Sequence, residues 1–147
     1  MRRLALCLFL LALTTNCVAR DETVAELKTR LETARPEDRA DICVRIAQLQ
    51  VRAADTLYNE GHVDEARAAV EDVAAYLEKA RDAAIESKAH LKNVEIDARK
   101  MSVKLGDIKR TLAFEDQPPV EQAIRRIENV RTALLKEMFS EKKKDKK

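Results

Sequence analysis

Between residues 63 and 112 an apolar residue recurs at spacings that alternate three and four. The series is Val63, Ala66, Val70, Val73, Leu77, Ala80, Ala84, Leu91, Val94, Ala98, Met101, Leu105, Ile108 and Leu112, with Ser87 as the polar member between Ala84 and Leu91. A heptad seam of this kind predicts one helix over about 63–113 whose stripe always faces partner helices. At 1.5 Å per residue it would be a rod of roughly 75 Å. Shorter stripes flank it. Val24, Leu27 and Leu31 predict a helix over about 21–34, ended by Pro36. Ile42, Ile46, Leu49, Ala53 and Leu57, widened by Cys43, Ala47 and Ala54, predict a second over about 37–60. Glu37 and Asp38 stand in its first turn, where negative charge suits the helix dipole, and Gly61 follows as a left-handed cap. Residues 114–119, with Pro118 and Pro119, form the next break. Val120, Ile124, Ile127, Val130, Leu134 and Met138 then predict a helix over about 119–140.

Short connections fold the helix at 37–60 and the helix at 119–140 back onto the long one, covering about 63–86 and 92–112 in turn. The expected fold is therefore an all-α, elongated antiparallel bundle, with one central helix backed end to end by two shorter ones. The N-terminal helix packs beside the first pair. The uncovered interval, 87–91, makes Ser87 and His90 a junction between two lobes. Beyond it a two-helix hairpin buries only one stripe per helix, so the seam Leu91, Val94, Ala98, Met101, Leu105, Ile108 and Leu112 is the candidate interaction surface. Ile96, Val103 and Phe114 are further apolar residues that a second copy or another protein would cover.

Composition supports helices and argues against a deep pocket. The 147 residues fit one domain, with two Gly, three Pro, 3% aromatic and 37% charged residues. Residues 1–19 carry Arg2 and Arg3, an apolar stretch from Leu4 to Leu13, and Cys17-Val18-Ala19 as a small-x-small cleavage site, the pattern of a secretory signal. Export to the periplasm or beyond is the expectation, leaving a helical domain over 20–140 and a disordered Lys-rich tail over 141–147. The alternative is a lipoprotein acylated at Cys17, although Thr14, Thr15 and Asn16 are an unusual approach to such a site. Without Arg2 and Arg3 the basic and acidic residues balance, which is no footprint for nucleic acid. Membrane contact would come through a lipid on Cys17 or through the Lys tail. Cys43, between Ile42 and Val44, reads as a core thiol.

Tyr58, Gly61 and Ala66 form a helix-turn-helix that resembles the turn of a tetratricopeptide repeat, and Tyr76, Leu77 and Ala80 resemble the end of such a repeat's second helix. The likeness spans about residues 42–80 and departs from the family in the place of Tyr58, nearer the Gly, and in the helix after the turn, predicted to run far past the repeat's usual length; no second copy appears at the repeat period. It implies protein or peptide binding and no particular site residue. His62 and His90 stand far apart, and no metal spacing, phosphate loop or nucleophile motif is present. Carboxylates alternate with Lys and Arg, as in Glu78, Arg81 and Asp82 or Glu95, Asp97 and Arg99, which reads as a solvated face. No enzyme activity and no cofactor are expected. The reading is an exported helical protein of the bacterial envelope that binds another protein or itself. The alternative is a periplasmic chaperone or stress sensor that holds unfolded clients.

Overall fold

The computed structural model describes residues 22–144, with side chains described through Ser140. The signal-sequence reading, Cys17 and residues 145–147 lie outside the described residues. Among the described residues five α-helices follow one another: α1 (Val24–Thr33), α2 (Pro36–Glu60), α3 (Val63–Ser87), α4 (Leu91–Thr111) and α5 (Gln117–Lys144), the last preceded by a 3-10 turn at Phe114–Asp116. They pack together as an all-α bundle.

Local chemistry explains most of these bounds. Thr23 caps α1 by a capping box, its hydroxyl accepting from the Glu26 N–H at 3.2 Å while the Thr23 N–H donates to the Glu26 carboxylate at 2.7 Å. Pro36 opens α2, where a missing N–H costs nothing. Gly61 ends α2 at φ 82, and its N–H donates to Tyr58 O. Pro118 and Pro119 fall in the first turn of α5. That helix runs to Lys144, so residues 141–144 are helical where the sequence reading had a disordered tail. Glu and Lys are good helix formers, no breaker intervenes, and Lys suits a helix C-terminus.

The main correction concerns the long helix. The chain breaks at residues 88–90, between α3 and α4, and reverses there. Lys88 and His90 both adopt left-handed backbone, at φ 54 and φ 63, which costs each about 1 kcal/mol for a residue with a Cβ. Ser87 serves the turn: its hydroxyl donates to Ala83 O at 2.7 Å and accepts from the Ala89 N–H at 3.4 Å.

Ion pairs fix how the helices then run. Asp41 of α2 meets His90 Nδ1 at 3.4 Å and Asp55 meets Lys104 Nζ at 2.6 Å, so equal steps along α2 and α4 go in the same direction. The two helices are parallel neighbours. Lys109–Glu121 at 3.0 Å, Ser102–Glu128 at 2.7 Å and Glu95–Arg131 at 2.9 Å make α4 and α5 antiparallel. Arg67 reaches Asp116 just ahead of α5, and Arg126 reaches Glu71 and Glu78, so α5 runs parallel to α3. The molecule is thus two antiparallel hairpins, α2/α3 and α4/α5, packed side by side. The predicted pairings within each hairpin hold, but the end-to-end rod does not. Folding the halves together buries more apolar surface than a single two-helix seam can.

The core follows from this stacking. Ala40, Ala47 and Ala54 of α2 and Ala66, Ala74, Ala80 and Ala84 of α3 are fully buried, small enough to let the first hairpin close tightly. Leu27 anchors α1 to the same core, and Lys28 lies 5.4 Å above the Tyr76 ring while pairing with Asp72. Cys43 is a buried free thiol whose pKa burial pushes up to about 11, well away from the reactive thiolate range.

Candidate interaction surface

The residues singled out as an interaction seam are used within the chain. Val94, Ala98 and Leu105 are fully buried, Leu91, Met101 and Ile108 nearly so, and Leu112 packs half-buried against the same core. Their stripe meets Val120, Ala123, Ile127, Val130 and Leu134 of α5, and the stacked first hairpin closes the remaining side. The seam is an internal contact and offers nothing to a partner in the folded bundle. Ser87 and His90 do mark a junction, but it is a reversal of the chain and not a gap under a continuous helix.

What the surface does display is aromatic and aliphatic. Phe114 is 86% exposed, Val103 62% and Phe139 61%. Of the residues expected to need covering, Val103 and Phe114 are exposed, while Ile96 is half-buried. Phe114 sits at the end of the bundle where the α2–α3 and α4–α5 connections meet. Its turn is held firmly. Asp116 accepts from Arg67 Nη2 at 2.7 Å, the Asp116 N–H donates to Ala113 O at 3.0 Å, and Gln117 Nε2 donates to Leu112 O at 3.1 Å. Tyr58, the aromatic residue of the repeat-like turn, is half-buried at the same end. Burial raises its phenol pKa, and the nearby Arg67 charge opposes that shift.

Arginine pairs that the sequence pattern could not show bind the two hairpins. Arg126 on α5 donates from Nε and Nη2 to both oxygens of Glu78, each at 2.8 Å, and from Nη1 to Glu71 at 2.6 Å. Glu78 was grouped by spacing with Arg81, yet its chief partner comes from another helix. Glu95, also read as part of a solvated face, has a side chain only 12% exposed and is held by Arg131. The hydrogen bonds from Arg126 hold the Glu78 carboxyl below its ordinary pKa. A carboxyl depressed in the folded state contributes stability above its unfolded value of about 4.3, and that contribution is lost as pH falls through the folded value. In acid titration of stability, the loss below about pH 4.3 should shrink by up to roughly 1 kcal/mol in Arg126→Met, given partial solvent screening. An unchanged acid limb would show that the pair adds nothing.

A groove of about 160 Å³ between α1 and α2 is lined by Glu22, Leu27, Arg45, Gln48, Leu49 and Arg52, smaller than the roughly 300 Å³ and upward of small-molecule sites. Its carboxylate, Glu22, is held by Arg30 at 2.6 Å and Arg45 at 2.9 Å. Among the described residues no group of three or more His, Cys, Asp or Glu could hold a metal, and no helix is long and apolar enough to cross a membrane. Comparison with protein-family models, with curated proteins and with solved structures returns no match.

Proposed function

We propose that this chain is a non-enzymatic, exported protein of the bacterial envelope whose helical bundle binds another protein or a second copy of itself. The observation that carries the reading is Phe114, a large ring almost fully in water on a turn tied to α3 by the Arg67–Asp116 ion pair. An aromatic side chain has only two rotatable bonds, so it loses little freedom on binding, and it is the kind of residue that dominates interfaces. Val103 adds a second exposed apolar residue on the same hairpin. The signal-like pattern at residues 1–19 supports export, and the paired hairpins, with their repeat-like turn at Tyr58, Gly61 and Ala66, support a binding role. The exposed apolar residues stand singly among Lys, Arg, Asp and Glu, which favours a discrete partner over the broad apolar face that holds unfolded clients.

Retrieval of partners from an envelope fraction tests this directly. Phe114→Ser should lose the specifically retained protein while keeping wild-type helicity and thermal midpoint, because the ring makes little contact with the core. Retention of the same partner by Phe114→Ser combined with Val103→Asp would reject this surface. Processing is checked by the N-terminal sequence of the chain recovered outside the cytoplasm, expected to begin at Arg20.

A further inference from the structure

Among the described residues, three of the four chain reversals are marked by residues that end or begin helices: Pro36, Gly61, and the Pro118-Pro119 pair. The reversal at residues 88–90 is not. It contains neither Gly nor Pro, and it holds Lys88 and His90 in left-handed backbone. It also interrupts a heptad seam that never loses phase: Ala84 leads to Leu91, and Ala80 through Ser87 to Val94, at the spacing of one unbroken helix. The same residues are buried on both sides of the turn, so the pattern serves the bent chain and would serve a straight one equally.

The contacts made across this turn join two hairpins. Arg126 meets Glu71 and Glu78, Arg67 meets Asp116, and Lys104 meets Asp55, around the apolar core shared by α2, α3, α4 and α5. Nothing in that geometry requires both hairpins to come from one chain. A short, strained connection between two such units favours exchange.

We propose that two copies of this chain exchange their α4/α5 hairpins. Residues 88–90 straighten, α3 and α4 merge into one helix over residues 63–111, and each α4/α5 hairpin packs on α2 and α3 of the second copy through the same ion pairs and the same buried seam. The exchange relieves two left-handed residues and restores helical hydrogen bonds at the hinge. It gives up the His90–Asp41 contact, which sits on the hinge itself, and the freedom of two separate particles. The balance therefore depends on concentration. This deepens the self-association side of the proposed function and does not depend on Phe114 or Val103.

The test follows the full chain, as the cell processes it, by light scattering over a concentration series that includes refolding at high concentration. Nitroxide labels on the exposed residues Glu65 and Arg110, in a Cys43→Ser background and diluted with unlabelled chain, report the separation within one chain. An exchanged dimer places them about 68 Å apart, whereas an unexchanged one keeps them within about 25 Å. Lys88→Gly with His90→Gly should raise the dimer dissociation constant by at least about 100-fold, because Gly suits the left-handed turn and weakens the continuous helix at two positions in each chain. Phe114→Ser with Val103→Asp should leave the exchanged dimer intact. A chain that stays monomeric throughout, a dimer with the short separation, or a dimer indifferent to the two glycines would overturn the proposal. Loss of dimer in the Phe114 and Val103 variant alone would also overturn it, and would instead support the surface contact proposed above.

Discussion

Leu105→Ala is expected to lower the stability of the bundle by about 3 kcal/mol, within the range of large-to-small changes in a packed core. Leu105 is fully buried on α4, between the nearly buried Met101 and Ile108, with α5 in front of it and the first hairpin beside it. The truncation leaves a cavity that surrounding helices can only partly fill, because ion pairs at Lys109–Glu121 and Glu95–Arg131 pin α4 to α5 above and below it. Val103, two positions away on the same helix, is 62% exposed, and Val103→Ala should change stability by no more than about 0.5 kcal/mol. Urea unfolding of the three chains decides the matter. Equal losses at 103 and 105 would mean that the seam does not face inward as described.

Ala80→Leu is the second large effect, an expected loss of about 2 to 3 kcal/mol from overpacking. Ala80 is fully buried on α3, and the α2/α3 hairpin is closed by small residues on both helices, including Ala47, Ala54, Ala74 and Ala84. Leu has no room there unless the helices packed on α3 move apart, and α2 is also pinned to α4 through Asp55–Lys104. Ala68→Leu supplies the control, since Ala68 is exposed on the same helix and should be nearly neutral. Scanning calorimetry gives the comparison. A neutral Ala80→Leu would indicate a looser hairpin than the buried alanines describe.

The parts of this fold that were legible in the sequence are those encoded locally. Pro36, Gly61 and the Pro118-Pro119 pair mark helix ends by what their backbones can and cannot do, and the three-four spacing identifies the buried stripes of α2, α3, α4 and α5. The turn at residues 88–90 carries no such mark. Lys88, Ala89 and His90 are acceptable in a helix, and Ser87, the one polar member of the seam, fits a gap under a straight rod as well as it fits a turn. What bends the chain is tertiary: the second hairpin gains more by packing beside the first than the turn loses by holding two residues left-handed. The interhelical arginine pairs were hidden for the same reason. Glu78 and Glu95 have Arg neighbours in sequence, and spacing cannot reveal that Arg126 and Arg131 arrive from another helix. Stacking of the two hairpins buries the seam at 91–108 and leaves Phe114 and Val103 outside.

The stacking of the two hairpins in the monomer is best measured by a single distance. Nitroxide labels at Glu65, in the first turn of α3, and Arg110, in the last turn of α4, sit at the same end of the bundle, where Arg67 meets Asp116. At concentrations low enough to keep the chain monomeric, the labels should be within about 25 Å of one another, the span of neighbouring packed helices plus the label arms. A monomer with the two labels near 68 Å apart, the length of one straight helix between those positions, would contradict the reversal at residues 88–90 and with it the bundle described here.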